Sequence, residues 1–248
     1  MTAEPKFVPE EPVDIKIGEG ASFSVRLIDC VGYMVPGAVG QFEDLSPRMV
    51  HTPWYDYEIP MTEAAEVGTS KVITDHATVG IVVTTDGSIT EIPRGDYVEA
   101  EERVVAELKK IGKPFVIVLN CVEPHSEEAR KLAGELETKY AVRCIPMNCA
   151  ALTDPEASEL LQGLLYEFPL QELDVYLPGW VDALHPEHPI KKGLFQAVRG
   201  ETKDLCRIRE LEGCLENIRK GEHICGAAIR EIDLGKGVAA ENIRLPDL

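Results

Sequence analysis

A short alternation of polar and apolar residues marks the first regular element of the chain. Residues 12–17 read PVDIKI, residues 18–22 (GEGAS) carry two glycines, and residues 23–30 (FSVRLIDC) return with further apolar positions. Alternation with a period of two indicates strands with one buried face, and a glycine-containing join between two such runs indicates a hairpin. The pattern therefore predicts a β-hairpin near the start of the sequence.

A regular succession of apolar runs and amphipathic stretches follows. Short apolar runs are typical of buried strands, and apolar residues three and four apart are typical of helices. The predicted strands cover 78–88, 113–121 and 142–149, and the predicted helices cover 61–77, 96–112, 126–140 and 154–168. Thr62, Asp96 and Asp154 are the predicted N-terminal caps. Strands that alternate with helices through short joins predict an α/β fold, with a mostly parallel sheet and helices on both faces.

The pattern changes after Phe168 and Pro169. Residues 177–192 are irregular, residues 193–221 form one charged helical stretch, and residues 228–248 resemble a strand with glycine-rich turns. We therefore predict two domains, one over 1–169 and a smaller α+β domain over 170–248. The chain stops without an element that would close the second domain, so that domain is expected to be partial.

The charge of the chain argues against several classes of partner. It has 43 acidic and 25 basic residues, and its formal net charge is −18 at pH 7. Such a chain has few cations to neutralise nucleic-acid phosphates or anionic lipids, so nucleic-acid binding is not expected. No apolar run reaches the roughly 20 residues of a membrane-spanning helix, and no signal peptide opens the chain. A cytoplasmic protein without an integral membrane segment is therefore the prediction.

Asp29 follows the apolar end of the predicted hairpin, and Gly32 stands three residues later. An aspartate at such a strand end can hold a magnesium-bound water, and a glycine there leaves its backbone N–H open to a terminal phosphate. Aspartate and glycine are also common in plain strand-to-loop turns, so both interpretations stay open. Asp86 ends the next apolar strand in the same way and is a competing candidate.

Another polar residue ends the next predicted strand, in the run Asn120-Cys121-Val122-Glu123. Ligands of α/β sheets bind beyond such strand ends, and guanine-binding proteins carry Asn-Lys-x-Asp there. Here lysine is absent and the longer Glu123 replaces aspartate, so adenine is at least as compatible as guanine. Asn120 and Glu123 are the candidate nucleotide-binding residues, and a loop-capping role for Asn120 remains the alternative.

Six stretches resemble one family much more specifically than the Asp29 motif does. They read TAEPKFVPEEPVDI, RLIDCVGYMVPGA, PRMVHTPWYDYEIP, EAAEVGTSKVI, DYVEAEERV and LYEFPLQELDVYLPGWV. From Thr2 to about Val181 the chain closely resembles the stage IV sporulation protein A family, the coat-morphogenetic ATPases of endospore-forming bacteria. The resemblance implies a P-loop NTPase domain related to translation-factor GTPases, which uses ATP and Mg²⁺ and acts as an acid-anhydride hydrolase.

The resemblance also implies how such a protein acts in the cell. ATP hydrolysis would drive its polymerisation into a base layer for the spore coat, on the forespore outer surface in the mother cell. Its partners would be further copies of itself, a small amphipathic membrane-anchor protein and spore coat proteins. A peripheral location on the forespore surface is the corresponding expectation.

Individual residues take roles from the resemblance only where they match the family's motifs. Asp29 would be the Walker B aspartate that serves Mg²⁺. Thr2 matches part of a sensor-threonine segment with a catalytic role, although Ala3 stands where the family often has a second threonine.

The Walker A loop of such domains, G-x-x-x-x-G-K-[ST], does not occur in the 248 residues. In the family that loop lies upstream of the segment that contains Thr2, and the strand before it lies between the hairpin and the parallel strands. We therefore expect the chain to be a fragment that is poorly stable and does not hydrolyse ATP alone. The alternative function is a nucleotide-independent scaffold module of the same fold.

Overall fold

The computed structural model describes residues 6–17, 21–43, 46–233 and 236–246. Backbone contacts divide the chain into two compact units, the first ending at Leu164 and the second beginning at Leu165. Each unit has its own clusters of buried apolar side chains. A separate core is the property expected of a separate domain.

The predicted hairpin is present near the start of the chain. β1 (Lys6–Ile17) and β2 (Ala21–Asp29) pair in antiparallel orientation. The register shifts between Val8 and Val13, so β1 carries an irregularity of the β-bulge type. The hairpin prediction is confirmed, and β1 extends further towards the N-terminus than the alternating run that predicted it.

Two short antiparallel pairs connect the hairpin to the first helix. They are β3 (Phe42–Glu43) with β4 (Ser46–Pro47), and β5 (Met49–Thr52) with β6 (Tyr55–Pro60). α1 (Met61–Lys71) follows β6 directly, and a π-helical turn over 72–76 extends it. The prediction that Thr62 caps this helix is wrong, because the helix already begins at Met61. The Met61 N–H donates to the Arg48 carbonyl at 2.8 Å, so backbone satisfies a donor that a cap would otherwise serve.

A three-stranded parallel sheet forms the centre of the first unit. Its elements are β7 (Gly80–Thr85), α2 (Arg94–Lys110), β8 (Phe115–Asn120), α3 (Glu127–Tyr140), β9 (Cys144–Met147) and α4 (Asp154–Tyr166). The strands pair in the order β7–β8–β9, and both pairs are parallel. A helix joins each strand to the next, as the prediction of βαβ units requires. The predicted α/β fold with a parallel sheet is confirmed.

Both faces of this sheet are covered, which explains why its strands read as continuous apolar runs. Ile117 and Leu119 of β8 lie in one cluster with residues of α2 and α3. Val118 of β8 and Met147 of β9 lie in another cluster with Leu160 of α4. Because side chains alternate along a strand, α2 and α3 cover one face and α4 covers the other. Burying each side chain of this size stabilises the fold by about 1.5–3 kcal/mol.

Two helix starts differ from the prediction. α2 begins at Arg94, so Asp96 lies within its first turn and is not its cap. α4 begins at Asp154 itself. The Glu156 carboxylate accepts from the backbone N–H and the hydroxyl of Thr153, at 2.9 and 2.6 Å. The helix start is therefore satisfied from Thr153 and Glu156, and the prediction of Asp96 and Asp154 as caps is wrong.

The hairpin and the parallel sheet are separate sheets. Within the described ranges, β2 bonds to β1 but to no other strand, and β7 bonds to β8 but to no other strand. Leu27 on β2 and Val83 on β7 are large apolar side chains that remain mostly exposed. Strand edges of this kind can accept a further strand.

The second unit is a smaller α+β arrangement, as predicted. Its elements are β10 (Glu172–Tyr176), α5 (Trp180–Ala183), α6 (Pro189–Thr202), α7 (Leu211–Ile218), β11 (Gly226–Asp233) and β12 (Val238–Arg244). β12 is the central strand, parallel to β10 and antiparallel to β11. The single helical stretch predicted over 193–221 is wrong, because a 3₁₀ turn at Ile208–Glu210 and the turn before it separate α6 from α7. No helix in the described parts of either unit is long and apolar enough to cross a membrane.

The central strand of the second unit carries a buried carboxyl group. Glu241 is 1% exposed, and neither of its carboxyl oxygens has a hydrogen-bond partner in the described structure. Its neighbours in register are Val175 on β10 and Ile229 on β11, so the rest of this rung is apolar. Burial raises the pKa of Glu241, because the charged form loses its hydration.

Candidate functional site

Asp29 is the last residue of β2, and it is exposed. Its backbone is held opposite Lys6 across the hairpin. Gly32 follows in the loop with a φ of +79°, and a Cβ added there would meet nothing within 4 Å. The backbone angle, and not crowding, is therefore what favours glycine here. The space at the Cβ position of Gly32 is open.

Cys30 lies between these two residues and is half-buried. Burial raises the pKa of its thiol, and the charge of Asp29 acts in the same direction. The Gly32 N–H and the Thr69 hydroxyl lower it by a smaller amount. Cys30 is therefore a neutral thiol at physiological pH, which packs against its surroundings and has little nucleophilic character.

Asp86, the competing aspartate, has the geometry of a turn residue. Its Oδ1 accepts from the Ser88 N–H at 2.8 Å and from the Ser88 hydroxyl at 2.6 Å. Ser88 Oγ in turn accepts from the Val122 N–H at 3.0 Å. These bonds connect the loop after β7 to the loop after β8, and they occupy Oδ1 of Asp86 locally.

Asn120 and Asn148 extend this connection to the loop after β9. Asn120 Oδ1 accepts from the Cys149 N–H at 3.0 Å, and Asn148 Nδ2 donates to the Val122 carbonyl at 3.3 Å. The three loops at the carboxyl edge of the sheet therefore support one another. The geometry of Asn120 is that of a residue that braces the edge where ligands of such sheets bind.

Glu123 lies exposed in the loop after β8. Its carbonyl accepts from the Ser126 N–H at 3.1 Å, and Ser126 Oγ caps α3 by accepting from the Ala129 N–H at 3.1 Å. The turn that contains Glu123 is thus fixed by the start of α3. Glu123 therefore lies at the same sheet edge as Asn120. A contact between its carboxylate and the base stays a prediction.

The candidate magnesium site rests on one carboxylate. Among the described residues, no three histidine, cysteine, aspartate or glutamate side chains come together as a metal-binding group. Mg²⁺ in phosphate-handling sites usually takes one or two carboxylates together with water and substrate phosphates. The exposed carboxylate of Asp29 fits that kind of donor set. Thr2, the other predicted catalytic residue, lies outside the described residues.

A buried polar network lies at the start of α2, and no pattern in the sequence predicts it. Arg94 donates to Glu101 Oε2 at 2.6 Å and to Thr84 Oγ1 at 3.3 Å, and the Tyr140 hydroxyl donates to Glu101 Oε1 at 2.7 Å. Burial raises the pKa of Tyr140 to about 12, so Tyr140 stays a neutral donor. The network connects α2 and α3 to Thr84 near the end of β7.

A second network, the Tyr33 cluster, consists of Tyr33, Glu66, Arg103 and Glu107. The Tyr33 hydroxyl donates to the Glu107 carboxylate, and the Arg103 guanidinium lies 4.1 Å from the centroid of the Tyr33 ring. Arg103 also donates to both carboxylate oxygens of Glu66, at 3.0 and 3.3 Å. The cluster joins the loop after β2 to α1 and α2. In the sequence, only the i, i+4 spacing of Arg103 and Glu107 indicates a part of this cluster, because it predicts an ion pair along one helix.

Comparison with known proteins assigns both parts of the chain to one family. A family model described as "Stage IV sporulation protein A, ATPase domain" matches residues 1–169, and the model of the middle domain of the same protein matches residues 170–247. The chain belongs to the stage IV sporulation protein A family. Asp29, Gly32, Asn120 and Glu123 all lie within the segment that matches the ATPase domain of the family.

Named relatives support the same assignment. Stage IV sporulation protein A of Bacillus anthracis is 44% identical over 247 residues, and that of Bacillus subtilis (strain 168) is 42% identical over 247 residues. That of Clostridioides difficile (strain 630) is 45% identical over 238 residues, which is 96% of this chain. The chain spans about half the length of these relatives, between 48% and 50%. No solved structure matches the chain.

Proposed function

We propose that the chain is the part of a sporulation protein that binds ATP with Mg²⁺ and supports its hydrolysis. The observation that carries the proposal is the position of Asp29 and Gly32, at the end of β2, within the segment that matches the ATPase domain of the family. An exposed carboxylate, with a backbone N–H three residues later that would exchange the Cys30 thiol for a phosphate oxygen, supplies the two groups that a magnesium-bound terminal phosphate needs at one strand end.

Each candidate residue then has a role in binding or orientation. The carboxylate of Asp29 would hold Mg²⁺ through a water, and the Gly32 N–H would donate to the terminal phosphate. Mg²⁺, when bound, neutralises charge that develops on the phosphate oxygens. Asn120 keeps the loops at the carboxyl edge in place, and Glu123 contacts the base. We assign Thr2 to the catalytic end of the site through the resemblance alone.

The proposed cellular role follows from membership of the family. We propose that hydrolysis drives polymerisation into a base layer for the spore coat, on the forespore surface and on the mother-cell side. The proposed partners are further copies of the protein, a small amphipathic membrane-anchor protein and spore coat proteins. The excess of 43 acidic over 25 basic residues favours a protein anchor over direct attraction to anionic lipid.

A nucleotide-independent scaffold is the second candidate. The observation in its favour is that Asp86 and Asn120 direct carboxylate and amide oxygens to neighbouring loop donors, Ser88 and Cys149. A sheet edge that satisfies its own polar groups can serve for packing alone. In that case the α/β unit contributes surface and stability, and the chemistry is absent.

The two candidates predict different results for the product of the complete gene. The proposed function predicts Mg²⁺-dependent ATP hydrolysis, with sedimentable polymer that forms with ATP and not with a non-hydrolysable analogue. The scaffold predicts polymer of equal amount with and without ATP, and no phosphate release above the blank. Phosphate release and sedimentation, measured on the same samples, distinguish the two.

A further inference from the structure

The Tyr33 cluster acts on the residue next to Gly32. On one side of Gly32 the chain is held by β2, whose last residue pairs with Lys6. On the other side the first side chain is that of Tyr33, which contacts Glu107 and Arg103 of α2. Gly32 therefore lies in a short link between two anchored points, Asp29 at the end of β2 and the side chain of Tyr33. The contacts of the Tyr33 side chain therefore limit the positions open to the Gly32 backbone.

The remainder of the loop is packed less closely against the helices. Residues 33–38, Gln41 and Phe42 line a cavity of about 540 Å³ together with residues of α1 and α2. Within the loop the bonds are local, from the Ala38 N–H to the Val35 carbonyl at 3.2 Å and from Gln41 Nε2 to the Ala38 carbonyl at 3.1 Å. Residues 33–41 thus form a locally bonded turn, and the side chain of Tyr33 connects the start of that turn to α2.

The cluster can be removed by substitution without unfolding of the domain. The side chains of Arg103 and Glu66 are 46% and 51% exposed, and that of Glu107 is 33% exposed. Ion pairs exposed to this extent stabilise little, because water screens them. Val105 and Leu108, which anchor α2 in the core, belong to a different face of the helix. Opening the cluster would leave that packing in place.

We propose that Tyr33 is a positioning residue that holds the Gly32 N–H where the terminal phosphate is bound. Its hydroxyl bond to Glu107 and its ring contact with Arg103 set the position of the loop. Tyr33 itself touches none of the reacting atoms and acts through Gly32. The inference rests on the proposed ATP hydrolysis, and it further connects the phosphate end of the site to the exposed Glu66–Arg103 pair on α1 and α2.

The test compares Tyr33→Phe and Tyr33→Ala in the product of the complete gene. Tyr33→Phe removes the hydrogen bond and keeps the ring, so we expect kcat for ATP hydrolysis to fall about 5-fold, as for the loss of one hydrogen bond. Tyr33→Ala removes both contacts, and we expect a larger fall. The Kd for ATP should stay within about 2-fold, since the change affects orientation at one phosphate. Tyr57→Phe, at an exposed tyrosine of β6, is the matched control and should leave kcat unchanged.

Substitutions at Glu107, the acceptor of the Tyr33 hydroxyl, test the same bond from its other side. Glu107→Gln keeps an acceptor for the Tyr33 hydroxyl and should retain most of kcat, whereas Glu107→Leu should resemble Tyr33→Phe. The double variant Tyr33→Phe with Glu107→Leu should lose no more than either single variant, because both remove one bond. The Tm of each variant without nucleotide is measured alongside, since a purely structural role would lower Tm and leave kcat intact.

Two results would overturn the inference, and they are distinguishable. If the wild-type protein hydrolyses ATP and both Tyr33 variants keep its kcat, Tyr33 positions nothing and the proposed function stands. If the wild-type protein itself neither binds nor hydrolyses ATP, the proposed function fails and this inference fails with it.

Discussion

Arg94 and Glu101 form an ion pair at 2.6 Å inside the first unit, where the side chain of Glu101 is 1% exposed. Arg94 begins α2, and Glu101 lies two turns later on the same helix. The same carboxylate accepts from the Tyr140 hydroxyl of α3, and Arg94 reaches Thr84 of β7. A helix start is thereby fixed to the strand whose carboxyl end carries the Asp86 turn.

Removing the buried carboxylate should destabilise the first unit strongly. Glu101→Ala leaves Arg94 and Tyr140 without their partner, and we expect the free energy of unfolding to fall by about 3 kcal/mol or more. Glu102→Ala is the matched control, because Glu102 pairs with Lys139 at 2.6 Å while 53% exposed. That exposed pair should contribute about 1 kcal/mol at most. Denaturant titration measures both, and equal losses would contradict the role of the Arg94–Glu101 pair.

The backbone at Gly32 gives a second stability prediction. A side chain at φ of +79° is strained even where space is open, so Gly32→Ala should lower the free energy of unfolding by about 1–2 kcal/mol. Gly95, within α2, has equal space for a Cβ and no such backbone angle. Gly95→Ala should therefore raise the free energy of unfolding by about 0.5–1 kcal/mol. Changes of the same sign in the two variants would contradict a positive φ at Gly32.

Glu241 should make the stability of the second unit depend on pH. Its pKa is raised in the folded state by burial, so the folded state binds the proton more tightly than the unfolded chain. Its contribution to stability is fully present below the ordinary glutamate pKa and is lost as the pH rises through the raised value. Denaturant titration at pH 5 and pH 8 measures the free energy of unfolding. We expect the ionised Glu241 to destabilise the second unit less at pH 5 than at pH 8.

Substitution isolates this contribution from that of the other carboxylates. Glu241→Gln cannot ionise, so we expect it to be more stable than the wild-type protein at pH 8, with the difference shrinking as the pH falls. Glu172→Gln, at an exposed position of β10, should leave the pH dependence unchanged. A Glu241→Gln variant whose stability follows that of the wild-type protein at every pH would rule out a titrating carboxyl at this position.

Elements built from local patterns could be read from the sequence. The βαβ units follow from apolar runs such as Phe115–Asn120, because a strand buried on both faces needs apolar residues throughout. Helix starts were less predictable. The backbone carbonyl of Arg48, between β4 and β5, accepts from the first N–H of α1 and makes a cap at Thr62 unnecessary. Tertiary contacts of this kind leave no local signature.

The candidate site likewise contains residues that local patterns indicate and residues that only tertiary contacts bring together. Asp29 and Gly32 could be proposed from a strand end and a short spacing, which are local features. Tyr33 could not, because its partners Arg103 and Glu107 are more than sixty residues away in the sequence and meet it only in the fold. Glu241 could not be proposed for a related reason, since the sequence of β12 does not show which of its side chains face the core.

We propose that Asp29, and not Asp86, is the carboxylate that serves ATP hydrolysis. The most direct test of this proposal is kcat for Mg²⁺-dependent ATP hydrolysis by the product of the complete gene, with Asp29→Asn and Asp86→Asn compared side by side. Both changes replace a strand-end carboxylate by its amide, and asparagine at 86 can still accept from Ser88. We predict that Asp29→Asn lowers kcat about 100-fold or more and that Asp86→Asn leaves it within about 2-fold. Full activity in Asp29→Asn, or an equal loss in both variants, would contradict the account.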